Sequence, residues 1–179
     1  MPKYVAFLRA INVGGHTVKM DYLRQLFETI GFSNVETFIA SGNVIFDSRS
    51  KNTRALEQKI EGVLAKTLGY AVATFIRTTS ELANIAVYKP FSNTEVDTDG
   101  NVIYIAFVPD NPNDQAITKL MSLRSEVDDF HVYGREVYWL CRTKFSESAF
   151  SGARLEKSLG MPATFRNSTT VRKIASKYS

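Results

Sequence analysis

The sequence predicts an α+β protein built as a tandem duplication of a ferredoxin-like βαββαβ unit, each copy followed by an extra helix. Three observations carry that expectation. The same order of strand and helix patterns runs twice along the 179 residues. Two helix–glycine–strand junctions resemble one another: Thr67-Leu68-Gly69-Tyr70 leading to Thr74-Phe75, and Ser158-Leu159-Gly160-Met161 leading to Thr164-Phe165. A polar, acidic, turn-rich stretch from Phe91 to Gly100 separates the halves, which places units at 1–90 and 101–179 with a linker at 91–100.

In the first half, Tyr4 to Ile11 is an apolar run bounded by Gly14-Gly15 and reads as a strand. Leu23, Leu26, Phe27 and Ile30 recur at the spacing of one helix face. Gly31 and Phe32 fit a Schellman ending, glycine supplying the left-handed residue and phenylalanine the apolar contact. Val35 to Ala40 and Val44 to Asp47 flank Ser41-Gly42-Asn43 as a hairpin. A second helix carries Leu56, Ile60, Val63 and Leu64, and Ala71 to Arg77 is a fourth strand. Thr79-Ser80 can cap a third helix that ends before Pro90.

The second half repeats the order. Val102 to Val108 is an apolar strand, and Asn113 or Asp114 caps a helix with Ile117, Leu120 and Met121. Asp129 to Tyr133 and Glu136 to Cys141 flank the turn Gly134-Arg135. A helix from about Ala149 ends at Leu159-Gly160, Pro162 to Phe165 is extended, and Ser168 or Thr169 caps the last helix. The first strand of each half lacks polar alternation. Such strands are buried on both faces, so something covers the face that the helices of a βαββαβ unit leave open. That burial weighs against an open RNA-recognition sheet with exposed stacking aromatics.

Bulk properties exclude several functions. Hydrophobic residues make up 44% and charged residues 22%, enough apolar content for a sizeable core. Cys141 is the only cysteine, so neither an internal disulfide nor a cysteine-rich zinc site is available. His16 and His131 lie far apart in sequence, and no metal site or cofactor is expected. Arg9 and Asn12 break the N-terminal apolar run too early for a signal peptide. No run approaches the roughly 20 residues that span a bilayer. A cytoplasmic protein with no membrane partner is the expectation. The net charge is +4, and from Arg154 onward six basic residues face one acidic residue. A basic tail can steer anions or nucleic acid, and it can equally be a solvated helix face.

Two polar stretches carry candidate chemistry. In Arg9-Ala10-Ile11-Asn12-Val13-Gly14-Gly15 a strand ends in a glycine pair, where backbone amides can cradle an anion and an arginine can hold one bidentately. The pattern is neither a Walker motif nor a dinucleotide fingerprint. In Arg166-Asn167-Ser168-Thr169-Thr170, hydroxyls and amides meet at a helix start, which fits both an anion site and plain capping. Ser41 and Asn43 join the list through the hairpin Ser41-Gly42-Asn43, which turn geometry alone also explains. Lys144 to Ser148 reads as a capped helix start, and Cys141, alternating with Trp139, reads as core.

These stretches resemble the bacterial domain of unknown function 1697 family over essentially the full length. The likeness rests on Leu8 to Gly15, Ser41-Gly42-Asn43-Val44-Ile45-Phe46, Gly134 to Tyr138, and Thr164-Phe165-Arg166-Asn167 with Thr170-Val171. The resemblance implies a tandem ferredoxin-like fold and no established activity. Ala10, Ser168 and Ala149 stand where that family usually has Gly, Trp and Lys. If those positions form a site, the site is altered in this chain.

The leading functional expectation is binding of a small anionic ligand between the two units, using Arg9, Asn12, Gly14, Gly15, Ser41, Asn43, Arg166 and Asn167. The alternative is nucleic-acid binding through the basic C-terminal helix. A third reading is an enzyme on a phosphorylated or acyl substrate, for which His16, Glu136 and Glu147 are the available acids and bases.

Overall fold

The computed structural model describes residues 1–11, 17–39 and 42–178. The chain divides into two compact units, Met1–Ala83 with Lys177–Ser179, and Asn84–Ser176. The α+β class expected from the sequence is the one observed, and the two similar units fit a tandem duplication.

The first unit runs β1 (Lys3–Leu8), α1 (Met20–Ile30), β2 (Ser33–Thr37), β3 (Asn43–Asp47), α2 (Thr53–Leu68) and β4 (Thr74–Thr78). Helix α3 (Thr79–Val87) follows directly. The strands form one antiparallel sheet in the order β2-β3-β1-β4. Tyr4, Ala6 and Leu8 pack with Leu23, Leu26 and Phe27 of α1 and Leu56, Ile60 and Leu64 of α2. Val5 and Phe7 point to the opposite face and are buried as well, as are Ile45 and Phe75. Both faces of the sheet are therefore dry, which is why β1 shows no alternation.

Helix α1 ends in the expected Schellman geometry. Gly31, at φ 110°, donates to Glu28 O at 3.0 Å, and Phe32 N donates to Phe27 O at 3.4 Å. The rings of Phe27 and Phe32 lie 6.0 Å apart, the apolar contact that accompanies this ending. Helix α2 starts on Asn52, whose side chain accepts from Ala55 N at 3.1 Å. The cap of α3 sits one residue before the position expected from the sequence. Thr78 Oγ1 accepts from Glu81 N at 3.0 Å and Glu81 Oε2 accepts from Thr78 N at 2.9 Å, a reciprocal capping box.

Strand β4 is a sheet edge, and its outward amides are taken by carboxylates. Thr74 N donates to Glu61 at 3.3 Å, Ile76 N to Glu57 at 2.8 Å and Thr78 N to Glu81. An edge with its donors consumed is a poor template for another chain. Glu57 does this from the buried face of α2, where its side chain is 5% exposed.

The second unit runs α4 (Asn93–Asp97), β5 (Val102–Phe107), α5 (Asp114–Met121), β6 (Asp128–Tyr133), β7 (Glu136–Cys141), α6 (Gly152–Leu159) and β8 (Thr164–Asn167) into α7 (Ser168–Tyr178). Its sheet order is β6-β7-β5-β8, the same permutation as in the first unit. Gly134, at φ 62°, makes the tight turn between β6 and β7. Trp139 fills the core against Tyr104, Phe150 and Phe165, and its Nε1 donates to the buried Asp128 at 2.8 Å. Ser148 Oγ lies 2.7 Å from the same carboxylate and accepts from Phe150 N.

Residues 91–100, read from the sequence as linker, contain α4. Arg142, just past β7, grips Glu95 of that helix with two nitrogens, at 3.1 and 2.8 Å. Asn101 Nδ2 adds a bond to Glu95 O at 2.8 Å.

Glu57→Ala strands the Ile76 amide and is expected to cost about 2 kcal/mol, roughly 4–8 °C in Tm, while Glu57→Gln retains an acceptor and costs less. An unchanged midpoint in both variants would show that the contact is not stabilising. The hydrogen-bonded Arg142 guanidinium holds the Glu95 carboxyl below its ordinary range. A depressed carboxyl stabilises the fold above its unfolded pKa and loses that contribution as pH falls through its folded value. Hydrogen-exchange protection in α4, relative to the intrinsic rate at each pH, should therefore fall below the usual glutamate range, and Glu95→Gln should remove that pH dependence.

Candidate functional site

Strand β1 runs out at Leu8, and three segments of the first unit meet there. Leu8 N donates to Gly42 O at 2.9 Å, and Arg9 N donates to Ala73 O at 2.9 Å. The end of β1, the loop before β3 and the approach to β4 are thus tied at one end of one sheet. The structure brings two of the sequence motifs together through Leu8, Arg9 and Ile11 on one side and Gly42 and Asn43 on the other.

Gly42 is required at this junction. It sits at φ +83°, and a Cβ there would lie 2.9 Å from Ile11 Cγ2 and 3.1 Å from Leu8 Cβ. Ile11 is buried, and its carbonyl accepts from the Tyr70 hydroxyl at 3.1 Å. Asn43 is fully buried and holds the loop by its side chain, with Nδ2 donating to Phe38 O at 2.9 Å while Phe38 N donates to Asn43 O at 3.0 Å.

On this rigid base the backbone is strained at two exposed positions. Ala10 has φ 53° and Ile39 has φ 61°. A β-branched residue in the left-handed region is an outlier, and each such residue costs on the order of 1–3 kcal/mol. Arg9 is exposed beside Ala10. The same loop carries Phe38, whose ring meets Tyr178 edge-on at 6.3 Å and Lys177 Nζ at 5.3 Å. Tyr178 is fixed in turn by its hydroxyl, which donates to Glu36 at 2.7 Å. Asn12, Gly14, Gly15, Ser41 and His16 lie outside the described residues.

Arg166 and Asn167 are placed on β8 of the second unit. Arg166 is buried opposite Ile105, and its Nη1 donates to Thr164 Oγ1 and Phe165 O, both at 2.8 Å. Burial pushes its guanidinium down to about 10. Asn167 Oδ1 accepts from Thr169 N at 2.9 Å, so this residue starts α7, where the sequence pointed to Ser168 or Thr169. The first unit has a counterpart that sequence reading missed: Arg77 is buried opposite Val5 on the equivalent strand, with Nη1 donating to Ile76 O at 2.9 Å. The register of the two central strands is the signal that pairs them.

Two of the candidate acids and bases, Glu136 and Glu147, are among the described residues. Glu136 is buried at the start of β7, and Glu147 accepts from the Thr143 hydroxyl at 2.8 Å. Cys141 is buried and burial raises its thiol pKa, which suits a core residue. Among the described residues no three His, Cys, Asp or Glu side chains cluster as metal ligands, and no helix is long and apolar enough to cross a membrane.

Ile39→Asn keeps the loop path with a residue that tolerates the left-handed region. It should raise stability by roughly 0.5–1 kcal/mol in denaturant unfolding. Gly42→Ala should lower stability by more than about 1 kcal/mol, from both its φ and the contact with Ile11. Opposite signs at these two neighbours are the expected signature, and equal effects would contradict the strain reading.

Comparison with known proteins agrees with the fold. The structure of the conserved bacterial protein SP0830 from Streptococcus pneumoniae superposes with a TM-score of 0.74 at 20% identity, covering 98% of this chain and 97% of that one. No curated protein matches the sequence. Residues 1–138, which include the whole loop end of the first unit, match the family described as "Protein of unknown function (DUF1697)". The chain belongs to that family.

Proposed function

We propose that this protein binds a small ligand bearing a phosphate or carboxylate at the loop end of the first unit, with Arg9 holding the charge. The observation that carries this reading is the pair of left-handed, non-glycine residues, Ala10 and Ile39, on loops otherwise locked by Gly42, Asn43 and Tyr70. Strain of that kind persists only where the surroundings over-determine it, and it gathers at ligand clamps. The backbone of Arg9 is fixed by its bond to Ala73 O, and the planar guanidinium fork suits the oxygens of a phosphate or carboxylate. By sequence, Asn12, Gly14, Gly15 and Ser41 belong to the same two loops and are expected to contribute amides and polar groups.

A second reading rests on helix α7. It exposes Arg172 and Lys173 and contains no acidic residue, which fits a nucleic-acid backbone.

Thermal unfolding against phosphorylated metabolites, carboxylates and short RNAs at two salt concentrations separates the two. A ligand at about 100 times its dissociation constant adds roughly 2.7 kcal/mol, on the order of 5–10 °C here. A salt-resistant shift with one small anion, absent in Arg9→Gln, is the expected result. A shift with RNA alone, fading as salt rises, would transfer the function to α7. No shift with any small anion would remove the proposal.

A further inference from the structure

The second unit carries a cleft of about 310 Å³ that the loop-end reading does not use. It is formed by the end of α3, the segment through α4, the start of β5 and the flank of α7. Its walls are apolar: Val87, Phe91, Val96 and Ile103 line it. Val87 is 73% exposed and Val96 40%, so large apolar side chains face solvent here at an energetic cost.

One wall is rigid. Tyr88 donates or accepts a 2.7 Å hydrogen bond with His131 Nε2, and its ring stacks on Tyr133 with centroids 4.3 Å apart. A second wall is tied down by the two-nitrogen grip of Arg142 on Glu95, the residue before Val96. The cleft is therefore largely pre-formed, as ligand sites usually are.

Two cations join the lining, Lys89 and Arg172. Neither has a carboxylate partner among the described residues. Of the two acids in α4, Glu95 is already committed to Arg142, and Asp97 is not part of the cleft lining. Long bonds from Arg172 to Ser168 Oγ at 3.4 Å and Thr169 Oγ1 at 3.3 Å steady the guanidinium and leave its charge uncompensated.

We infer that this cleft is a second binding site, for a small carboxylate with an apolar or aromatic body. The planar guanidinium fork of Arg172 matches a carboxylate bidentately, and Lys89 adds a second positive charge to the lining. The apolar walls take the hydrocarbon portion. The volume lies at the small end of ligand sites, which span about 300–1,000 Å³, and suits a small molecule.

The test uses the full chain, with 3-phenylpropionate as probe and its neutral amide as control, followed by methyl NMR. At about 10 mM probe, roughly tenfold above a 1 mM dissociation constant, the carboxylate should shift the methyl signals of Val87, Val96 and Ile103. The amide should bind about tenfold more weakly or worse, since it lacks the charge-assisted bonds. Arg172→Gln should weaken the carboxylate by a similar factor and leave the amide unchanged, while Lys119→Gln, on α5 of the same unit and outside the cleft lining, changes neither. The Arg172 side chain is exposed, and the variant's own methyl spectrum reports its folding. Equal binding of carboxylate and amide, shifts centred elsewhere, or no shifts at all would each overturn the inference.

Discussion

The hydrogen bond from Ile76 N to the Glu57 carboxylate is the contact on which the first unit turns. It places a charged side chain on the buried face of α2, where only a full set of partners makes a carboxylate tolerable. In exchange it fixes the helix along the edge strand, and Glu61 and Glu81 continue the line at Thr74 and Thr78. With its outward donors consumed, β4 has one register against β1. That register presents Ala73 O to Arg9 N. The direction of the chain at the candidate site is therefore set by a carboxylate on a helix, several links away.

The second unit reaches the same topology by different chemistry. Its helix α6 spans 8 residues where α2 spans 16. Gly152, in the first turn of α6, lies against the Phe165 ring of β8, so this helix meets the last strand through an apolar contact rather than a carboxylate. Buried polarity sits elsewhere, in Asp128, which takes both the Trp139 indole and the Ser148 hydroxyl. A common backbone plan has kept one buried arginine on the last strand of each sheet, Arg77 and Arg166, at matching register.

Much of this was legible in the residues. The unbroken apolar run Val5-Ala6-Phe7-Leu8 corresponds to a strand dry on both faces, because period two disappears when neither face meets water, whereas the run Val102 to Val108 is fully buried only from Ile105 onward and half-buried at Val102, Ile103 and Tyr104. Gly31 with Phe32 announced its helix end by local geometry alone. What escaped were groups whose role depends on a distant partner. Glu57 looks like any surface acid between Leu56 and Ile60, and only the position of Ile76 turns it inward. Ile39 gives no sign of its left-handed backbone, since nothing in an isoleucine favours φ 61°. Strand limits moved for a related reason: β4 begins at Thr74, not Ala71, because pairing with Leu8 starts there.

Charge alone is a poor guide to where an anion would settle on this fold, and burial sorts the arginines. Arg166 and Arg172 stand six positions apart on β8 and α7. The first donates at 2.8 Å to two oxygens of its own strand, and burial depresses its pKa to about 10, which still leaves it cationic near neutrality. Its charge acts mainly on the sheet that surrounds it. Arg172 is exposed, weakly tethered and beside an apolar cleft. Arg9 is exposed at a strand end whose direction is fixed by two backbone bonds. A guanidinium held by its own strand stabilises the fold, whereas the exposed and weakly tethered one of Arg172 can turn its fork to a ligand oxygen. That distinction, rather than the count of basic residues, is what separates the scaffold of this protein from the surfaces on which it can act.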